Sequence, residues 1–166
     1  MALALALAAG GCGGSKPSVE TRQQVAGGGF RFAAPDGWTV TKAQGKVTVV
    51  APAGGEELLS VTIFPLARRY QPSFWPQVLP ELDRVTEQLA AELKGTAGSG
   101  RTKTVAGRRA RAYDIEYARS GTRFVERITF LLAGRREYQL LCRWRTDRPE
   151  LGERACSALA VSFRLR

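Results

Sequence analysis

The stretch YDIEYARSGTRFVERITFLLAGRREYQLLCRW, residues 113–144, alternates apolar and polar positions around Ser120-Gly121 and Gly134. Period-two alternation broken by glycine-containing turns is the signature of antiparallel hairpins. A two-residue Ser120-Gly121 turn sets Tyr117 against Phe124, Ile115 against Glu126 and Tyr113 against Ile128, with Asp114 opposite Arg127 on the other face. A three-residue turn would instead face Asp114 with Glu126, two like charges, so the shorter turn is expected. For the next hairpin, Gly134 placed so that Leu132 faces Arg136 pairs Phe130 with Tyr138, Ile128 with Leu140, Glu126 with Cys142 and Phe124 with Trp144. That register gathers the apolar residues of both hairpins on one face. An earlier hairpin around Ala106-Gly107 completes a four-strand meander, its register left open.

Upstream, Phe30-Arg31-Phe32 begins a strand that turns at Pro35-Asp36-Gly37 before Trp38 and Val40. Turn chemistry accounts for Pro-Asp-Gly without a catalytic role for Asp36. Residues 46–51 and 58–64 read as two further strands, the second ended by Pro65. Residues 73–94 carry Val78, Leu82, Val85, Leu89 and Leu93 at helical spacing, with Pro76 and Pro80 suiting a first turn or a kink and Gly95 as the C′ stop. A second, shorter helix starts at Pro149, capped by Thr146 or Asp147, with Leu151, Ala155 and Leu159 as its apolar stripe. Laid on the apolar face of the meander, it brings Cys156 toward Cys142, and Val161-Ser162-Phe163 closes the core.

Residues 2–9 alternate alanine and leucine without a charge, then give way to Gly10-Gly11-Cys12. An apolar run ending in small residues is an export signal, and this one is far shorter than the roughly 20 residues of a spanning helix. Ala9-Gly10-Gly11-Cys12 resembles the lipobox of bacterial lipoproteins, although alanine stands at the usual leucine position and no basic segment precedes the run. The resemblance implies removal of residues 1–11 and acylation of Cys12. Residues 12–29, rich in glycine, read as a flexible tether, and residues 30–166 as one folded domain.

With Cys12 given to lipid, Cys142 and Cys156 are left as a disulfide pair in an oxidising compartment, or as two buried thiols. Hydrophobic residues make up 44% of the chain, which excludes wholesale disorder. Residues 101–166 hold 16 Lys and Arg against 7 Asp and Glu, whereas residues 1–100 hold 9 against 8. Outside the cytoplasm that excess favours anionic lipids or phosphate-bearing envelope polymers over nucleic acid. The chain has no histidine, which removes the commonest general base and zinc ligand, and it has neither a Gly-x-Ser-x-Gly motif nor a phosphate loop. No metal or cofactor site is expected. Two features bear on binding or chemistry. Glu126 falls on the apolar face between Ile115 and Cys142, where it is either a buried acid or an arginine's partner. On the opposite face Arg123, Arg127, Arg143 and Arg145 gather, Arg123 across from Arg145, as either an anion-binding patch or a solvated rim.

Phe30, Phe32, Pro35, Gly37, Trp38, Gly107, Tyr138, Ser162 and Phe163, with this order of elements, resemble the PsbP-like superfamily, and within it the LpqN-type bacterial lipoproteins. The resemblance implies an α+β fold: an antiparallel sheet of about six or seven strands flanked by helices on both faces, an α/β/α sandwich. It further implies a binding or assembly role. The expectation is a lipid-anchored extracytoplasmic accessory protein without catalytic activity, engaging an envelope protein, anionic lipid or glycopolymer. The alternatives are an envelope hydrolase using carboxylates such as Glu126, and a photosynthetic extrinsic subunit.

Overall fold

A computed structural model describes residues 22–52 and 55–166. In chain order its elements are β1 (Arg22–Gly27), β2 (Phe30–Pro35), β3 (Thr39–Ala43), β4 (Lys46–Val50), β5 (Leu58–Pro65), a 3-10 turn (Pro72–Phe74) running into α1 (Trp75–Glu92), β6 (Thr96–Ala97), β7 (Arg101–Val105), β8 (Arg108–Arg119), β9 (Thr122–Ala133), β10 (Arg136–Arg145), α2 (Pro149–Ser162) and β11 (Arg164–Leu165). One antiparallel sheet has eight strands in the order β3-β4-β5-β10-β9-β8-β6, with β7 beside β8, and a second sheet has three in the order β1-β2-β11. The strand count exceeds the sequence expectation because β1, β6 and β11 are too short or too polar to show a period, and because the Pro35-Asp36-Gly37 turn separates β3 from β2. The architecture is α+β, with α1 against β6 and β8 on one face and α2 against β10 and β2 on the other.

The β8–β9 hairpin has the expected register, Tyr117 opposite Phe124 and Asp114 opposite Arg127. Ser120 (φ 51°) and Gly121 (φ 78°) both take the left-handed conformation that a type I′ turn demands. Ala106 (φ 49°) and Gly107 (φ 71°) repeat it between β7 and β8, placing Val105 opposite Arg108.

The β9–β10 register differs from expectation by one residue. Ala133 faces Arg136, so the turn is Gly134-Arg135, and Tyr138 meets Leu131, Leu140 meets Thr129, Cys142 meets Arg127 and Trp144 meets Val125. A one-residue slip exchanges the faces of a whole strand. Ile128, Phe130 and Leu132 therefore pack under α1, whereas Tyr138, Leu140, Cys142 and Trp144 face α2 and the small sheet. Both faces are covered, so β8 and β9 feed both cores, Ala110 and Leu131 toward α2 and Tyr113 and Ile128 toward α1.

Residues 22–27, assigned to the tether by their glycine-rich flanks, instead pair with β2. Val25 is buried there, and the Gln23 amide donates to the carbonyls of Pro35 (3.0 Å) and Trp38 (2.7 Å). The expected cap of α2 is also corrected. Its N-cap is Arg148, with no side-chain cap, because the Asp147 carboxylate is taken by Arg145 at 2.6 Å.

The end of α1 shows why Gly95 is glycine. The Gly95 N–H donates to Ala90 O (2.8 Å) and that of Lys94 to Ala91 O (3.0 Å), a Schellman motif with Lys94 at C′ in the left-handed conformation, φ 54°. Gly95 serves close packing: a Cβ there would lie 2.5 Å from Glu116 O and 2.8 Å from Tyr117 Cβ. Lys94→Gly should thus stabilise the fold by about 1 kcal/mol by removing the left-handed penalty, and Gly95→Ala should destabilise it. Urea denaturation of the two variants checks both signs.

Candidate functional site

At one end of the main sheet the β8–β9 turn and the loop after β10 enclose an open cleft of about 700 Å3. The loop is tied down by Thr146, whose N–H donates to Arg123 O at 3.0 Å. Tyr117 and Phe124, stacked at 5.5 Å, supply an aromatic floor, and the guanidinium groups of Arg119 and Arg143 lie 5.5 Å and 5.7 Å from the Phe124 ring centre. Glu116, Arg123, Arg145 and Asp147 line the rim. Phe124 and Tyr117 are themselves buried, so the surface the cleft presents is the arginine and carboxylate of its rim.

The four arginines expected to form one patch are divided by the β9–β10 register. Arg123 faces Ala118 rather than Arg145, and Arg145 faces Phe124. Arg123 and Arg127 project from the α2 face of β9, Arg143 and Arg145 from the α1 face of β10; of the four, Arg123 and Arg145 line the cleft. Most are engaged. Arg127 grips Asp114 through two hydrogen bonds (2.6 and 2.8 Å) and lies over Trp144 at 5.2 Å. Arg143 donates to Glu56 O at 3.0 Å. Arg145 pairs with Asp147 and sits 3.7 Å from Glu56. Arg123 is exposed and makes no ion pair among the described residues, which leaves it as the available cation of the cleft.

Glu126 is opposite Ile115 as expected, but across β10 it meets Arg143, not Cys142. Burial pushes its carboxyl group up, against the pull of the Arg143, Arg119 and Lys46 charges and of the Tyr117 hydroxyl at 3.4 Å. Among the described residues the charges acting on it are the cations Arg143, Arg119 and Lys46, whereas paired-carboxylate hydrolysis requires a second acid. Asp114 shows the opposite outcome: burial alone would raise its carboxyl, but hydrogen bonds from Arg127 and Arg101 override this and hold it below the ordinary value.

Cys142 and Cys156 are bonded to each other, Cα atoms 5.5 Å apart, fastening α2 to β10. Cys12 lies outside the described residues. One cluster had no signal in the sequence: the Tyr113 hydroxyl donates to Asp83 of α1, Arg111 approaches the same carboxylate at 3.6 Å, and burial together with Asp83 pushes the tyrosine up to about 12. Nothing in local periodicity says which strand a helix will cover. Among the described residues no three His, Cys, Asp or Glu side chains come together to hold a metal, and no helix is long and apolar enough to cross a membrane.

No protein-family model matches the sequence, and no curated protein matches it. Solved structures do. The chain is similar to the solution structure of cyanobacterial PsbP (CyanoP) from Synechocystis, at 15% identity and a TM-score of 0.64, covering 94% of this chain and 100% of that one. It is similar as well to LpqN, a Mycobacterium tuberculosis protein involved in cell envelope biogenesis, at 13% identity and a TM-score of 0.52 over 89% of this chain and 92% of that one. A Bacteroides thetaiotaomicron protein matches at 12% identity and a TM-score of 0.60, covering 82% of this chain, which spans 45% of that protein's length. The fold is therefore PsbP-like.

Proposed function

We propose that this chain is a lipid-anchored, extracytoplasmic accessory protein that binds an envelope partner and has no catalytic activity of its own. The observation that carries the reading is the Cys142–Cys156 bridge in the core, since structural disulfides belong to oxidising compartments. The apolar run before Cys12 supplies the export route to such a compartment. The fold shared with an envelope-biogenesis protein supports the same setting. The 700 Å3 cleft, with its charged rim and the unpaired Arg123, is the surface offered to the partner, and the basic half of the chain favours an anionic one. Anchoring needs more than one acyl chain, which a diacylglycerol on Cys12 provides.

Two measurements test this. The wild-type protein, expressed in a bacterial host, should incorporate radiolabelled palmitate and enter the detergent phase, and Cys12→Ser should stay aqueous; identical partitioning ends the anchor. Binding to anionic vesicles should fall with salt and with Arg123→Glu, an exposed change that leaves the paired arginines intact. Binding indifferent to both removes the cleft from the reading.

A further inference from the structure

The two helices cover different halves of the sheet. Because α2 lies over β10 and packs on β2, the α2 face of β7, β8 and β9 is left partly open beside it. There the chain forms a second cleft, of about 250 Å3, which shares no lining residue with the one described above. Its floor is apolar and buried: Val105, Leu140, Leu159 and the Cys142–Cys156 bridge, with Thr129 contributing a hydroxyl-bearing side chain that is 7% exposed. One lip is Val161, an apolar residue left 71% exposed. The other carries Lys103 and Arg127.

Charge at this second lip is out of balance. Asp114 accepts from Arg127 at 2.6 and 2.8 Å and from Arg101 at 2.6 Å, so both its oxygens are occupied by arginine. Lys103, on the same face of β7 as Arg101, makes no ion pair among the described residues. Burial, then repulsion from Arg127 and Arg101, lowers its affinity for a proton, and Asp114 only partly offsets this. Glu153 of α2 is the one further acid whose field reaches Arg127. An exposed cation without an ion pair, set beside an apolar floor, suits a ligand that brings one negative charge and an apolar body.

We propose that this cleft binds a medium-chain fatty carboxylate, its head group between Lys103 and Arg127 and its chain against Ala160 and Val161, above the buried Leu140, Leu159 and disulfide. At roughly 30 Å3 for a water-sized group, the volume suits a chain of about eight carbons. This site is separate from the cleft assigned to the envelope partner, so either can fail without the other.

Isothermal titration of the full chain with octanoate, octan-1-ol and inorganic phosphate tests it. Octanoate should bind at least tenfold more tightly than either control, since only it has both the charge and the chain. Lys103→Gln, at an exposed strand position, should weaken octanoate about tenfold and leave octanol unchanged, and Ser157→Trp, exposed at the α2 lip, should block both. Circular dichroism establishes that each variant is folded. Equal binding of octanoate and octanol, equal binding of octanoate and phosphate, or a folded Lys103→Gln variant that binds octanoate like wild type would each overturn the assignment.

Discussion

Phe163→Ala should lower the unfolding free energy by about 3–5 kcal/mol, the range for removing a buried phenylalanine, and Tm by about 10 °C or more. Phe163 is fully buried where three layers meet. It stacks on Phe30 of the small sheet at 5.7 Å and meets Tyr138 of the main sheet edge-on at 5.9 Å, while the chain on either side of it is fixed. The preceding Ser162 hydroxyl accepts from the Ala33 N–H (2.7 Å) and donates to Ala158 O (2.5 Å), and beyond it the Arg166 N–H donates to Gly29 O (2.9 Å). With backbone held on both sides, the cavity cannot close, and a site that cannot collapse loses the most. Val161→Ala, two residues earlier but exposed, is the control and should change stability by less than about 0.5 kcal/mol. Equal midpoints for the two variants in urea would show that the three-layer core has been misplaced.

The hairpins show where sequence reasoning works and where it stops. Ser120-Gly121 determined its register because two constraints agreed: the two-residue turn put Asp114 against Arg127 instead of Glu126, and it kept Tyr113 and Tyr117 on the same face as Ile128 and Phe124. Gly134 gave only one. It allowed two- and three-residue turns, and the choice between them rested on collecting apolar residues on a single face. That criterion holds for a sheet with one wet face and misleads for one covered on both. The error then spread to the site. It placed Arg123 opposite Arg145 and joined four arginines that belong to two faces, and it put Cys142 beside Glu126 where Arg143 stands.

Helices were legible because α1 has a stripe long enough to read, and the cysteine pair because only two thiols remained after Cys12. The small sheet was not. β1 has one buried apolar residue, Val25, and otherwise relies on Gln23 reaching across to Pro35 and Trp38. A strand recruited by side-chain hydrogen bonds to distant backbone has no period to detect. Similarly, the two clefts arise from how far each helix extends over the sheet, a tertiary property. Their chemistry is visible in Arg123 and Lys103 only once the pairing of Asp114 and Asp147 shows which cations are already engaged.

The Cys142→Ala/Cys156→Ala double variant should unfold about 3 kcal/mol more easily than wild type, as expected for releasing a loop of this length. The bridge joins residues 14 apart, spanning the end of β10, the loop that frames the larger cleft and the first half of α2. Without it, α2 keeps Ala155 and Leu159 in the core, so the native fold should survive with a lower midpoint rather than disappear. Two thermal scans separate the cross-link from the packing of its sulfurs. Wild type unfolded in reductant should fall toward the double variant, by about 10 °C for a domain of this size, and reductant should not move the variant itself. Both half-cystines are buried, so reduction should be slow in buffer and fast once denaturant opens the fold. Wild type and variant with one midpoint under oxidising conditions would mean that the thiols never join, and the case for an oxidising compartment would lose its main support.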